Sequence, residues 1–369
     1  MSKWREVRLG DVADIIMGQS PKSIYYNNVG EGLKFLQGNR TFGRIYPTYD
    51  TYTIKATKIA EKGDILISVR APVGDINLAN TKCCIGRGIS AIRSKENNLF
   101  LFYNLIYNKK RLKTAENGTT YGSINKGDLE NFKIKLPDLE TQEKIADVLS
   151  SYDKLIENNN RRIKILEETA EETYKEWFVR MRFPGHENTK FEKGIPKGWE
   201  VKKVEQLVKR LETGHFYKED ELEDEGKVIV IDQSEKEYLG YHNGEPTHRP
   251  SIENPIILFG DHSCKMIIMI GDFSLAENVI PFKSNSESPE LFLYYSLKGL
   301  IKTQEYKRHW KELTSKKILY PEIDLQIKFA NMMKDNILAV EKLKVVNQNL
   351  IKQRDLLLPR LMNGTIQVK

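Results

Sequence analysis

The side chains that could do chemistry are few in this sequence of 369 residues, and none has the spacing of a complete catalytic or metal site. His242 and His248 share a polar stretch without a further ligand beside them, whereas a metal site needs three or four. The neighbours Asp261 and His262 resemble part of a catalytic triad, but no serine or cysteine nucleophile accompanies them. Pro137-Asp138 resembles the start of a nuclease metal site without its other acidic residues. We therefore predict no catalytic residue and no metal site.

Motifs for nucleotide or methyl-donor chemistry are also missing from the sequence. It contains no GxxxxGK[ST] phosphate loop and no GxGxxG turn. The Asn-Pro-Pro-aromatic cluster of amino-methyltransferases and a Pro-Cys nucleophile are absent as well. The sequence predicts a protein without catalysis of its own. The enzyme alternative, a fused methyltransferase or a nuclease fragment, would need motifs that this chain lacks.

Polar side chains near the ends of predicted strands are better suited to reading the edges of DNA bases. Gln and Asn can bond adenine bidentately in the major groove, and Arg can do the same for guanine. In the first half of the chain the candidates are Gln37, Asn39, Arg40, Arg44, Arg70, Arg87, Tyr121, Asn125 and Lys126. In the second half they are Gln233, Ser234, His262, Lys265, His309 and Lys311. The alternative for each is an ordinary solvated or turn-capping side chain.

The composition favours an acidic partner in the cytoplasm. A net charge of +7 points to nucleic acid first and to an anionic membrane surface second, and a merely soluble basic protein stays possible. No apolar run is long enough to span a membrane, and the N-terminus has no signal-peptide core. Cys83, Cys84 and Cys264 form no CxxC pair, which is typical of reduced thiols. We expect a cytoplasmic protein.

A long helix is predicted to position these loops, at residues 141–182. Its stripe of partner-facing residues, the seam, recurs with gaps that alternate four and three, the spacing of a coiled coil. At about 1.5 Å per residue the helix would be roughly 60 Å long, so it needs another long helix as its partner. The seam consists of Ile145, Leu149, Tyr152, Ile156, Asn159, Ile163, Leu166, Ala170, Thr173 and Trp177.

The partner is found in the same chain, because the second half repeats the first with an offset of 184 residues. KIKLPDLETQEKIA (133–146) returns as KILYPEIDLQIKFA (317–330), and LFLFYNL (99–105) returns as LFLYYSL (291–297). RAPVGD (70–75) and GDHSCKMII (260–268) show no counterpart in the other half. The offset gives a second seam with the same alternation: Phe329, Met333, Asn336, Val340, Leu343, Asn347, Leu350, Arg354, Leu357 and Leu361.

Two equivalent halves related by a pseudo-twofold axis would pair these helices antiparallel. A register with Asn159 facing Asn347 also aligns the apolar seam positions. The other aligned pairs are Ile163 with Leu343, Ile156 with Leu350 and Leu166 with Val340. A mutual asparagine pair would fix register and orientation. In the alternative, both asparagines face solvent in a loosely packed pair of helices.

The sequence predicts an α+β fold in which two similar globular α/β-mixed domains are separated by two long antiparallel coiled-coil helices, as a pseudo-twofold internal repeat. Short Val-, Ile- and Phe-rich segments predict mostly antiparallel sheets, with helical segments at 96–115 and 288–309. The predicted bounds are 1–140 for the first globular domain, 141–182 for the first long helix, 183–198 for the linker, 199–323 for the second globular domain and 324–362 for the second long helix.

Four segments make the chain similar to the specificity subunit of type I restriction-modification systems. They are RGISAIR (87–93), GSINKGDLENFKIKLP (122–137), LPDLETQEKIADVLSSYDKLIENNNRRI (136–163) and LLLPRLMNGTIQV (356–368). The resemblance covers nearly the whole chain and implies two target recognition domains, each reading one half of a bipartite site in double-stranded DNA. In the second half AENVIPFKS (276–284) stands in place of RGISAIR, so we expect its base-reading loops to differ.

The resemblance also implies partners and assigns the cofactors to them. The paired helices would act as a spacer and dock two methyltransferase (modification) subunits, which restriction/translocase subunits then join. S-adenosylmethionine and ATP with magnesium would belong to those partners, with no cofactor on this chain and no membrane contact. A coiled-coil scaffold for protein partners, with no DNA role, is the remaining alternative.

Overall fold

The computed structural model describes residues 4–114, 122–234, 236, 238–303 and 307–368. The chain divides into two compact units. The first unit is Met1–Asn158 with Asn347–Lys369, and the second unit is Asn159–Val346. Each unit therefore contains the first part of one long helix and the last part of the other.

The first unit contains a four-stranded and a five-stranded sheet. Its strands are β1 (Arg5–Arg8), β2 (Ala13–Met17), β3 (Tyr26–Asn27), β4 (Leu33–Leu36), β5 (Tyr52–Thr53), β6 (Ile59–Ala60), β7 (Ile65–Ser68), β8 (Ile76–Leu78), β9 (Cys83–Ile85), β10 (Ile89–Ser94) and β11 (Lys133–Leu136). Its helices are α1 (Leu9–Val12), α2 (Asn98–Tyr107), α3 (Lys109–Thr114), α4 (Lys126–Asn131) and the start of α5 (Leu139–Tyr174). The sheet orders are β2-β10-β7-β8 and β3-β5-β4-β9-β6, and β1 pairs with β11.

The second unit repeats this plan. Its strands are β12 (Phe191–Glu192), β13 (Ile195–Pro196), β14 (Glu200–Lys203), β15 (Val208–Arg210), β16 (Val228–Ile231), β17 (Gly240–His242), β18 (Ile256–Gly260), β19 (Met266–Met269), β20 (Phe273–Leu275), β21 (Val279–Ser284) and β22 (Lys317–Tyr320). Its helices are α6 (Glu290–Leu297), α7 (Trp310–Ser315) and the start of α8 (Ile323–Met362). The sheet orders are β15-β21-β18-β19 and β17-β16-β20, and β14 pairs with β22.

A continuous apolar strand supplies two cores in each unit, because successive side chains of a strand point to opposite faces. In β7, Ile65 and Ile67 belong to one core and Leu66 to the other. In β18, Ile257 and Phe259 belong to one core, and their neighbours in the strand belong to the other. Pairing is antiparallel as predicted, except that β4 runs parallel to β9 and β16 parallel to β20. The prediction of a mixed α/β fold is confirmed.

A buried glutamine holds the start of each long helix in the same way. Gln142 Nε2 donates to the carbonyl of Pro137 at 3.0 Å, and Gln326 Nε2 donates to the carbonyl of Pro321 at 2.7 Å. Both glutamines are buried. These are the positions that the offset of 184 residues relates, and the internal repeat is confirmed at the level of individual hydrogen bonds.

The long helices pair antiparallel, as predicted. In the first unit Asp153 of α5 meets Arg354 of α8 at 2.6 Å, and in the second unit Asn336 of α8 donates to the Leu166 carbonyl of α5 at 3.0 Å. As residue numbers rise along α5 they fall along α8. The seam is turned inward throughout: Ile145, Leu149, Ile156, Asn159, Val340 and Asn347 are buried, and Ile163, Leu166, Leu343 and Leu350 are half-buried. The alternative with solvent-facing asparagines does not hold, while their mutual pairing stays a prediction.

Two helices end earlier than predicted. The first long helix starts at Leu139, and after Tyr174 it continues only as a π-helical turn at Lys175–Val179. The turn closes when the Arg180 N–H donates to the Lys175 carbonyl at 2.7 Å. The segment predicted as helical at 288–309 forms α6 only as far as Leu297, because Gly299 takes a left-handed backbone with φ of 76°. Among the described residues, no helix is both long and apolar enough to cross a membrane.

Candidate nucleic-acid interface

Three loops of the first unit are tied together between β9 and β10. The Gly86 N–H donates to the Leu36 carbonyl at 2.7 Å, and the Gly88 N–H donates to the Gln37 carbonyl at 3.2 Å. The Val69 N–H donates to the Gly88 carbonyl at 2.9 Å. A Cβ at Gly86 would lie 2.9 Å from the Gln37 Cα, and one at Gly88 would lie 2.7 Å from the Gln37 carbonyl oxygen. Glycine at both positions therefore lets the loops after β4, β7 and β9 meet at one edge.

Gln37, Arg70 and Arg87 stand on these three loops, and all three side chains are exposed. The structure brings together sequence-predicted candidates that lie up to fifty residues apart in the chain. Their residue types suit base edges: an amide for adenine and two guanidinium groups for guanine. Whether they contact DNA stays a prediction.

Asn39 and Arg40 follow Gln37 on the same loop but are engaged within the unit. Asn39 Nδ2 donates to Asp75 Oδ2 at 2.7 Å, which joins this loop to the β7–β8 loop. Arg40 donates to Asp50 at 2.6 Å, and this hydrogen bond lowers the pKa of the Asp50 carboxyl. The Asn39 contact is partly buried, and the Arg40 contact is exposed.

The remaining candidates of the first unit have other surroundings. Arg44 pairs with the buried Asp153 of α5 at 3.2 Å, so its guanidinium is engaged within the unit. Asn125 caps α4 by accepting from the Asp128 N–H at 3.1 Å, as the turn-capping alternative requires. Lys126 pairs with Glu130 at 3.4 Å on the exposed side of α4. Tyr121 lies outside the described residues.

In the second unit, the loop after β16 meets the β18–β19 loop. Gln233 Oε1 accepts from the His262 N–H at 2.9 Å. Lys265 Nζ donates to the Ser234 carbonyl at 2.5 Å, and His262 Nδ1 lies 3.1 Å from the Lys307 carbonyl oxygen. The sequence-predicted Gln233, Ser234, His262 and Lys265 are therefore brought together at one edge of the unit.

Asp261 and His309 have structural roles. Asp261 Oδ1 accepts from the N–H groups of His309 and Trp310 at 3.0 and 2.8 Å, so it caps the start of α7. The neighbouring His262 is not part of a catalytic dyad with it. His309 is only 1% exposed, and its ring faces Glu312 at 3.1 Å. A side chain buried in this way cannot reach a base edge, which corrects the prediction for His309.

A cleft of about 530 Å³ adjoins this edge, and it contains residues that the sequence analysis missed. Lys311, an exposed candidate, lies there with Arg210 and Arg308. The Arg210 guanidinium sits 5.7 Å from the Trp310 ring centroid. Glu277 adds one exposed carboxylate to the cleft. The residues are scattered along the chain, so only the fold could assemble them.

The hairpin loops of the two units correspond, although their sequences share no motif. RAPVGD connects β7 to β8, and GDHSCK leads from β18 into β19, at the same place in the two four-stranded sheets. The two motifs therefore lack a counterpart in sequence, as predicted, but hold equivalent positions in the fold. Loop sequences can diverge freely where the flanking strands, rather than the loop, carry the packing.

The two histidines considered as metal ligands pack within the second unit, where His242 is buried and His248 is half-buried. His242 Nδ1 accepts from the Gly244 N–H at 3.1 Å, and its Nε2 lies 2.9 Å from Ser274 Oγ. His248 stacks on Phe273 with ring centroids 4.9 Å apart. Burial lowers the pKa of both imidazoles. Across the part of the chain that the structure describes, no group of three or more His, Cys, Asp or Glu could hold a metal ion.

The two units share one topology, and each has a polar loop edge and half of an antiparallel helix pair. Comparison with known proteins gives the chain a set of relatives. The family model for the type I restriction modification DNA specificity domain matches residues 1–168. A putative type I restriction enzyme MjaX specificity subunit of Methanocaldococcus jannaschii is 50% identical over 159 residues. Residues 1–168 therefore match the type I restriction modification DNA specificity domain, and the chain is similar to specificity subunits of type I restriction enzymes.

The extent of the matches differs between relatives. The MjaX alignment covers 42% of this chain and only 37% of that relative. The MjaIX specificity subunit of the same organism is 26% identical over 99% of this chain and 94% of its own length. The crystal structure of a type I restriction-modification S subunit from M. genitalium shares the fold, with a TM-score of 0.63 and 18% identity over 98% of this chain and 96% of that one. All are named as S or specificity subunits, so the prediction of a non-enzyme class is confirmed.

Proposed function

We propose that this chain is the DNA-reading subunit of a type I restriction-modification complex and that each unit reads one half of a bipartite site. One observation carries the proposal: the same strand-and-loop arrangement recurs in both units and places different polar side chains at the same edge. Gln37, Arg70 and Arg87 occupy this edge in the first unit, and Gln233, His262 and Lys265 occupy it in the second. A repeated scaffold with different reading groups is what two unlike half-sites require.

The charge of the chain supports a nucleic-acid partner. A net charge of +7 attracts the phosphate backbone, which supplies affinity without sequence preference. The cleft beside α7 contains Arg210, Arg308 and Lys311, three cations that suit phosphate contacts. Affinity and specificity would then come from different side chains on the same surface.

The long helices are proposed to dock the partner subunits. Their outer faces expose large apolar side chains that a soluble helix pair would not need: Leu155, Ile165, Val345, Val346 and Leu356, each between 46% and 63% exposed. Exposed apolar stripes of this kind favour protein contacts. We propose two modification subunits as the occupants, with restriction subunits joining that core. S-adenosylmethionine and ATP with magnesium would be bound by those subunits.

A gel-shift series with genomic fragments tests the proposal. The chain is mixed with its modification subunit, and binding is measured from about 50 to 200 mM salt. We expect sequence-selective binding that weakens steeply with salt, by roughly 10³-fold or more if six or more phosphates are contacted. A pure protein scaffold would bind no DNA even with the partner present, and that result would refute the proposal.

A further inference from the structure

We propose that Arg87 and Glu277 occupy one equivalent reading position and each set one base pair of a half-site. The inference rests on the proposed function and names the residues that determine specificity within it. Arginine donates to the O6 and N7 atoms of guanine, whereas glutamate accepts from the N4 amino group of cytosine. Arg87 would therefore select guanine in one half-site, and Glu277 would select cytosine in the other.

The equivalence of the two positions follows from the strands that enter the loops. β4 runs parallel to β9, with Leu36 beside Ile85, and β16 runs parallel to β20, with Ile231 beside Leu275. One residue further on, the Gly86 N–H donates to the Leu36 carbonyl at 2.7 Å. In the second unit the Ala276 N–H donates to the Ile231 carbonyl at 2.9 Å.

The strands that leave the loops match as well. The Val69 N–H donates to the Gly88 carbonyl, and the Asp261 N–H donates to the Asn278 carbonyl, both at 2.9 Å. Asn278 takes a left-handed backbone with φ of 64°. Arg87 and Glu277 are therefore the single exposed residues between a matched entry and a matched exit.

Both side chains are held outward and are available. Each loop is bounded by two buried strand residues. These are Ile85 and Ile89 in the first unit, and Leu275 and Val279 in the second. The Arg87 N–H is fixed by Ser20 Oγ at 3.2 Å. In the described parts of the chain, neither side chain has a hydrogen-bond or ion-pair partner. An exposed side chain on a rigid two-point anchor is suited to reading, because little freedom is lost on binding.

The position of the Glu277 carboxylate supports a role in base reading, because the cations around it favour phosphate. It shares its cleft with Arg210, Arg308 and Lys311. On a surface that binds a polyanion, a carboxylate lowers affinity by repulsion unless it accepts from a base amino group. Glu277 is therefore assigned to base reading and the three cations to the backbone.

The test uses the chain in complex with its modification subunit and a panel of duplexes. Each duplex changes one base pair of the wild-type site, and competition gel shifts measure discrimination at every position. For R87A we expect discrimination to fall by roughly 10- to 100-fold at one position of one half-site. For E277A we expect the same at one position of the other half-site. E277Q keeps the side-chain shape and should shift preference at that position from cytosine toward adenine.

Two matched controls separate reading from affinity. Lys82 lies just before β9 and pairs with Glu61 at 2.8 Å, and Arg308 lies in the same cleft as Glu277. K82A, at the opposite end of β9 from Arg87, should leave binding to all duplexes unchanged. R308A should weaken binding to all duplexes equally, without a change at any single position. Equal melting temperatures of all variants exclude loss of folding as the cause.

Three outcomes are decisive. Discrimination lost at one position of one half-site supports the assignment. A uniform loss over all duplexes, or an unchanged profile for R87A, E277A and E277Q, overturns it while leaving the proposed function intact. Failure of the wild-type complex to discriminate between any duplexes would instead refute the proposed function itself.

Discussion

Replacement of Asp153 by asparagine is expected to lower the free energy of unfolding of the first unit by about 3 kcal/mol, the lower end of the cost of breaking a buried ion pair. The carboxylate is 5% exposed and joins Arg354 at 2.6 Å and Arg44 at 3.2 Å. The Tyr103 hydroxyl donates to its other oxygen at 2.6 Å. Asparagine removes the carboxylate that Arg44 and Arg354 share. Arg354 keeps its pair with Asp355 at 2.5 Å and Arg44 is partly exposed, which keeps the cost from being larger.

Urea unfolding with amide hydrogen exchange resolves this effect, because exchange reports the first unit separately. Asp147 on the same helix is exposed, and D147N serves as the matched control with an expected change within about 0.5 kcal/mol. Equal stabilities of the two variants would show that the buried network contributes nothing. Burial and the nearby Asp153 charge also raise the pKa of Tyr103 above its ordinary value, so the phenol stays a donor in this network.

Replacement of Phe178 by alanine is expected to destabilise the second unit by about 3–5 kcal/mol, the usual cost of deleting a buried phenyl ring. Phe178 lies in the π-helical turn after α5 and is 2% exposed. Its ring centroid lies 5.0 Å from that of Phe292 and 5.2 Å from that of Phe329, both edge-on. Alanine would leave a cavity among side chains that cannot collapse into it.

The neighbouring Val179 provides the control, because it is 60% exposed in the same turn. V179A should change the free energy of unfolding by no more than about 0.5 kcal/mol. Urea unfolding followed by tryptophan fluorescence is suitable, since Trp199 packs against Phe178 with ring centroids 6.0 Å apart. Similar losses for F178A and V179A would contradict the assignment of Phe178 to the core.

The sequence predicts those features that depend on periodicity. The four-three seam locates both long helices, and the offset of 184 residues places Gln142 and Gln326 in equivalent positions. Helix pairing follows because an exposed seam of that length needs a partner. The end of the first helix is missed because the π-helical turn is set by burial of Phe178, a tertiary contact.

Side-chain roles within loops are predicted less well. Arg44, Asn125 and His309 have the residue types of base readers, yet their partners in the fold give them structural roles. Glu277 is missed for the opposite reason: an acidic residue in a basic protein is not expected to face DNA. The cleft that contains it forms only when α7 packs beside the β20–β21 loop.

Genome-wide mapping of modified bases, in cells that carry this chain with its modification subunit, tests the central claim most directly. Two units with unlike reading edges predict a bipartite site: two specific half-sites of different sequence, separated by a spacer of fixed length without sequence preference. Replacing residues 1–135 by those of a relative should change one half-site and leave the other intact. A single uninterrupted site, or a change in both half-sites after that exchange, would contradict the account.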